Sequence, residues 1–179
     1  MTDEELMLAV SRDNDDAFSV LYEKYKDRIY SFIRTFVHDI NILEDIFQDT
    51  FLSIYKNRKS YTVRSKFSTY VFAVVRSKCI NHLRKLKYHA DLDENDLRNH
   101  SANDVNFHKN AIINELQENF NRMVNGLDEK KKTALFLRDV NGQSYEEIAE
   151  IMGQSLGSVK TLIHRARKQI YEKLRKEYA

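Results

Sequence analysis

The chain has 179 residues with no proline, four glycines and one cysteine, which argues against a turn-rich β fold and excludes an intrachain disulfide. Hydrophobic side chains make up 42% and charged ones 31%, enough for compact cores beneath helices with solvated faces. The net charge of +2 hides a segregation: residues 61–90 carry seven basic groups and no acidic one, residues 91–118 two basic and seven acidic, and residues 156–179 seven basic and two acidic. Two cationic blocks either side of an acidic stretch suggest two separate polyanion contacts.

The N-terminal MTDEELMLAV is acidic and lacks a long apolar core, so it is not expected to be a signal peptide. No window of about eighteen consecutive apolar residues occurs, so membrane insertion is not expected. In residues 17–37, Phe18, Leu21, Tyr22, Tyr25, Ile29, Phe32, Ile33 and Phe36 recur at steps of three and four. That spacing predicts a helix, with Asp15 or Asp16 available to cap it. Leu43, Ile46, Phe47, Thr50, Phe51, Ile54 and Tyr55 predict a second helix, and Phe67, Tyr70, Val71, Val74, Val75, Ile80 and Leu83 a third. Three such stripes can bury one another in a small bundle. Lone Cys79 reads as a buried, inert thiol in a reducing cytoplasm.

Periodicity fades after Leu86, and Tyr88 to Asn106 is polar and rich in Asn and Asp, the pattern of an exposed acidic linker. Its acidity could also screen the basic blocks in the absence of nucleic acid. Helical pattern resumes with Ile112, Ile113, Leu116, Phe120, Met123 and Val124, and Gly126 is placed to end that helix. Asp128 can cap a further helix carrying Ala134, Leu135, Leu137 and Val140, and Asn141-Gly142 signals a turn. The expectation is an all-α chain of two small helical domains, 1–87 and 119–179, joined by a flexible acidic linker over 88–118.

The second domain carries the densest signal. Ser144-Tyr145-Glu146-Glu147 is a capping box opening a short helix with Ile148, Ala149 and Met152 as its buried positions. Ala149, Gly153 and Val159 have the helix-turn-helix spacing: a small residue where two helices cross, a glycine for a left-handed turn, and an apolar anchor on the second helix. The exposed face of that second helix is expected to carry Ser155, Ser158, Lys160, Thr161, His164 and Arg165 into the major groove, with Arg167 and Lys168 nearer the phosphates.

Residues 58–88 interleave basic and aromatic groups, including Arg58, Lys59, Tyr61, Arg64, Lys66, Phe67, Tyr70, Phe72, Arg76, Lys78, Arg84 and Tyr88. Aromatics stack on unpaired bases while Lys and Arg follow the backbone, which suits capture of a melted strand, a flipped base sitting near the 60–69 loop. Phe67 and Val71 fit a core role, and Tyr61 and Arg64 a DNA-facing one. Upstream, Glu44, Asp45 and Asp49 admit three readings: a protein-docking edge, a solvated acidic face, or Mg²⁺ ligands. The six histidines lack zinc spacing, and no phosphate loop or acid–base pair is present, so no cofactor and no catalysis are expected.

These motifs resemble one family, the extracytoplasmic-function sigma factors of bacterial RNA polymerase. Residues 144–152, SYEEIAEIM, are similar to the family's SYEEIAEIL. Gly157-Ser158-Val159-Lys160 resembles G-T-V-K, His164-Arg165-Ala166-Arg167 resembles H-R-A-R, and Leu137-Arg138-Asp139-Val140 resembles L-R-D-V. In the first half, Asp16-Ala17-Phe18 with Leu21, Tyr22 and Tyr25 resembles D-A-F-x-x-L-Y-x-x-Y, residues 44–51 resemble E-D-L-V-Q-E-T-F, and Phe67-Ser68-Thr69-Tyr70 resembles F-R-T-W. The resemblance implies a factor that joins core RNA polymerase and reads promoter DNA, with an anti-sigma factor as a further partner. It implies that Asp45, Gln48 and Asp49 contact the β′ clamp helices, with β as a further docking surface. It also implies that Arg76, Asn81 and Arg84 belong to the −10 reader, and that the helix-turn-helix reads the −35 element. Departures are Tyr70 for the usual Trp, Ala73 and Leu162 where Arg is common, Asn81 for Asp, and Asp128 for Pro. Outside this family, a stand-alone helix-turn-helix regulator or a metal-dependent helical enzyme would be the alternatives.

Overall fold

The computed structural model describes residues 1–92 and 111–177, which contain helices joined by turns and irregular segments and no strand, in two compact units, Met1–Val105 and Asn106–Ala179. The acidic centre of the expected linker, 93–110, lies outside the described residues, as do the side chains of Ile112 and Ile113.

The first unit comprises α1 (Asp3–Val10), α2 (Asp15–Arg34), α3 (Ile40–Lys56), a single 3-10 turn (Arg58–Ser60) and α4 (Phe67–Leu92). Helices α2, α3 and α4 form where the apolar steps of three and four placed them. The cap of α2 is Asn14, which accepts the Ala17 N–H at 2.9 Å. Asp15 and Asp16 instead occupy the first turn, where negative charge suits the helix dipole. The stripes close on an aromatic core, with ring centres 4.6 Å apart for Tyr22–Phe51, 5.2 Å for Tyr25–Phe67 and 5.7 Å for Phe32–Phe72. Thr50 is fully buried within its stripe, and its hydroxyl donates to the Ile46 carbonyl at 2.7 Å, so that hydroxyl is not stranded. Cys79 is buried.

Helix α1 completes this unit as a fourth element. Its start is a capping box of Thr2 and Glu5, and it buries Met7 and Val10 completely. At the other end, α4 continues past Tyr88 to Leu92, and α5 begins at Ala111, so the boundaries expected at 87 and 119 fall inside helices. The periodicity fades before the helix does because Leu86 and Tyr88 are exposed; an apolar stripe records burial, not helicity.

The second unit comprises α5 (Ala111–Val124), α6 (Glu129–Leu135), a π turn (Phe136–Val140), α7 (Tyr145–Met152) and α8 (Leu156–Glu177). Val124, Leu127, Leu135, Ala166 and Ile170 form a buried cluster with Phe120 against it. Asp128 caps α6 through the Lys131 N–H at 3.0 Å, and Gly142 takes φ +68° in the Asn141-Gly142 turn. In α7 the buried positions are Ile148, Ile151 and Met152, whereas Ala149 is only half-buried. Ala149 thus sits at the edge of the helix crossing and Ile151 takes the core place expected for it.

Candidate nucleic-acid and protein-docking surfaces

The helix-turn-helix assembles as its local signals require. The Ser144 hydroxyl accepts the Glu147 N–H at 3.1 Å, and the Glu147 carboxylate accepts the Ser144 N–H at 2.8 Å. Gly153 adopts φ +60°, ψ +39°, and the Gln154 N–H returns to the Ala149 carbonyl at 3.0 Å, which closes α7 and turns the chain into α8. Val159, Ile163, Ala166 and Ile170 form the buried stripe of α8. Lys160, Thr161, His164, Arg165 and Lys168 are exposed on the other side.

Ser155, Ser158, Thr161 and Arg167 are also engaged locally. Ser155 caps α8, accepting the Ser158 N–H at 3.2 Å, while the Ser158 hydroxyl donates to Gln154 at 3.0 Å. The Thr161 hydroxyl donates to the Gly157 carbonyl at 2.9 Å. Arg167 lies on the flank of α8, paired with Asp139 of the π turn at 2.5 Å. The Tyr145 ring carries two cations, the Arg138 guanidinium at 4.6 Å and the Lys160 ammonium at 5.9 Å.

In the first unit, Asp45, Gln48 and Asp49 form an exposed edge of α3, backed by buried Leu43 and Ile46. Asp49 is ion-paired across to Lys78 of α4 at 2.5 Å, so Asp45 and Gln48 are the more open members. Among the described residues there is no group of three or more His, Cys, Asp and Glu side chains placed to hold a metal ion.

The segment between the 3-10 turn and α4 exposes Arg64 and Lys66, and α4 exposes Asn81 and Arg84, with Arg76 half-buried. A groove of about 400 Å³ beside them is lined by Ser53, Asn57, Tyr70, Lys78 and Asn81 among others. Phe67, Val71 and Phe72 are core, which removes Phe72 from the stacking set. Tyr61 is half-buried, with its ring 5.4 Å from Tyr70 and 6.3 Å from Phe67. Its hydroxyl is buried without a hydrogen-bond partner. Burial, reinforced by the nearby Glu4 charge, pushes that hydroxyl up to about 12, so it stays neutral.

The sequence did not signal what fixes this segment. Glu4 of α1 accepts the Phe67 N–H, the first of α4, at 2.7 Å. Asp13, at φ +66°, holds Arg58 at 2.9 Å and pairs with Lys59. Asp15 accepts from the Tyr55 hydroxyl at 2.8 Å. No helix among the described residues is long and apolar enough to cross a membrane.

Comparison with known proteins agrees with both halves. The sigma-70 region 2 family matches residues 21–88 and the sigma-70 region 4 family residues 117–170. The ECF RNA polymerase sigma factor SigW of Bacillus subtilis (strain 168) is 30% identical over 174 residues, covering 93% of this chain and 93% of that protein. The ECF RNA polymerase sigma-E factor of Haemophilus influenzae is 28% identical over 182 residues, covering 97% and 96%. In fold, the chain is similar to CnrH in its complex with the cytosolic domain of CnrY, with a TM-score of 0.74, 19% identity and 97% of each chain covered. It is also similar to the sigma factor RpoE of Bartonella quintana in complex with the anti-sigma factor NepR, with a TM-score of 0.71, 23% identity, and 88% and 96% covered. On the match to SigW along nearly its whole length, with region 2 and region 4 in their proper order, the chain belongs to the ECF family of RNA polymerase sigma factors.

Proposed function

We propose that the chain joins core RNA polymerase and directs promoter-specific initiation, with each of its surfaces taking one task. The acidic edge of α3, Asp45, Gln48 and Asp49, docks on a basic surface of the polymerase, the β′ clamp helices. Tyr61, Arg64, Lys66, Arg76, Asn81 and Arg84 capture and read the −10 element as it melts. The α8 face of Ser155, Ser158, Lys160, Thr161, His164 and Arg165, with Arg167 on its flank, reads the −35 element. Functionally, residues 1–87 hold the first two tasks and 119–179 the third, and 88–118 connect them. The chemistry of RNA synthesis stays with the polymerase, so this factor is non-catalytic. It works where polymerase and DNA are, in the cytoplasm. An anti-sigma factor that covers these surfaces would keep it from the polymerase.

The observation that carries this reading is the combination of an exposed acidic helix edge in one unit with an exposed basic helix-turn-helix face in the other. A regulator acting without polymerase would leave the α3 edge without a task. Charge reversal at the open position, Asp45→Arg, tests it. Affinity for core polymerase, read by fluorescence titration, is expected to fall about tenfold or more, the usual cost of like charge at an electrostatic contact. Binding of the same variant to a −35 duplex is expected to be unchanged. Equal core affinity for both proteins would remove α3 as the docking edge.

A further inference from the structure

Helix α1, the turn after it and the start of α2 send three carboxylates onto the border of the DNA-facing segment. Glu4 reaches Phe67, at its C-terminal end, and Asp13 reaches Arg58 and Lys59, at its N-terminal end. Asp15 bonds Tyr55 one turn earlier. Both ends of residues 61–66 are therefore tied to one rigid helix and its following turn. The segment itself has no regular structure, and within it Thr62, Val63, Arg64 and Lys66 are exposed. The N–H of Phe67, the first residue of α4, is satisfied by the Glu4 carboxylate. Asp13 holds a left-handed backbone that is costly for a non-glycine residue and aims its carboxylate at two cations. Below the segment, Tyr61 packs on Phe67 and Tyr70, so its path is fixed from the core side as well.

We infer that Glu4 and Asp13 are positioning residues for the −10 reader: they clamp the two ends of residues 61–66 and thereby set which base the segment accepts. The inference rests on the proposed −10 role of that segment. A clamp acts on selection, because a surface loop pinned at both ends presents one arrangement of its side chains, whereas a loose one presents many.

The test is transcription from a library randomised through the −10 element, using the full chain with core polymerase. Glu4→Ala removes the acceptor. Glu4→Gln keeps an oxygen for the Phe67 N–H. Asp13→Asn removes the charge while tolerating the positive φ. Glu4→Ala and Asp13→Asn are each expected to lower discrimination among −10 sequences about fivefold, on the scale of one exposed charge-assisted hydrogen bond. Glu4→Gln should restore most of it, and affinity for core polymerase and for a −35 duplex should stay as in the parent. Unaltered −10 choice in Glu4→Ala and Asp13→Asn, alongside lost choice in Arg64→Ala, would overturn the clamp and leave the promoter-reading assignment intact. Lost choice in the clamp variants without loss in Arg64→Ala would keep the clamp and remove Arg64 as the reading residue. Equal losses of core and −35 affinity in both clamp variants would mark them as general folding defects and overturn the clamp.

Discussion

Single carboxylates do much of the organising in this chain. Glu4 and Asp3 are both held below their ordinary values. For Glu4 the largest cause is the Phe67 N–H; for Asp3, burial opposes the shift but hydrogen bonds from Lys24 and Tyr25 outweigh it. A carboxylate with a folded pKa below its unfolded one adds stability above the unfolded value and loses it as pH falls through the folded value. The urea midpoint of the chain is therefore expected to drop between about pH 5 and pH 3, and Glu4→Gln should show a shallower drop. A midpoint flat across that range would contradict these contacts. Asp139 pairs with Arg167 and so neutralises one cation on the flank of α8. Asp139→Ala is expected to tighten binding of a −35 duplex about twofold to fivefold at low salt, the gain vanishing at high salt. Anisotropy titrations at two salt concentrations would show it, and weaker binding would mean that Asp139 orients Arg167 for the phosphate instead. These residue-scale facts were the least legible in the sequence. Glu4 and Phe67 are 63 positions apart, Asp49 and Lys78 29, and Asp139 and Arg167 28, and no local pattern announces a pair across such distances.

At the scale of elements, legibility follows how local each signal is. Ser144 with Glu147, Asp128 and Gly153 act within one turn of where they stand, and the helices begin and end at them. The stripe of α8 was legible for the same reason, and the Ser155 hydroxyl at its start caps the helix. Helix α1 has too little periodicity in eight residues to be legible as a stripe, though Thr2 and Glu5 carry its capping box. Gly153 is the left-handed residue on which the α7–α8 turn depends. Nothing lies within 4 Å of an added Cβ, so Gly153→Ala is opposed by backbone strain at φ +60° and not by a clash. That strain costs about 1–2 kcal/mol. The melting temperature of the second unit and its −35 affinity are expected to fall, with single-stranded −10 binding unaffected. An unaltered melting curve would show that the α7–α8 turn can form without a left-handed residue.

For the molecule as a whole, the separation of charge fits the proposed division of labour: basic groups concentrate in residues 61–90 and 156–179, and the α3 edge proposed for docking is acidic. An acidic edge is repelled by DNA and drawn to a basic protein surface, and cationic faces behave in reverse, so one chain can hold polymerase and promoter together. The most direct test is transcription in vitro with the purified chain, core polymerase and a promoter library, run beside a titration of the chain against core. Tight association with core and transcripts starting at a defined distance from paired −10 and −35 sequences are expected. Absence of affinity for core polymerase, in a preparation free of inhibitory partners, would contradict the assignment at its root.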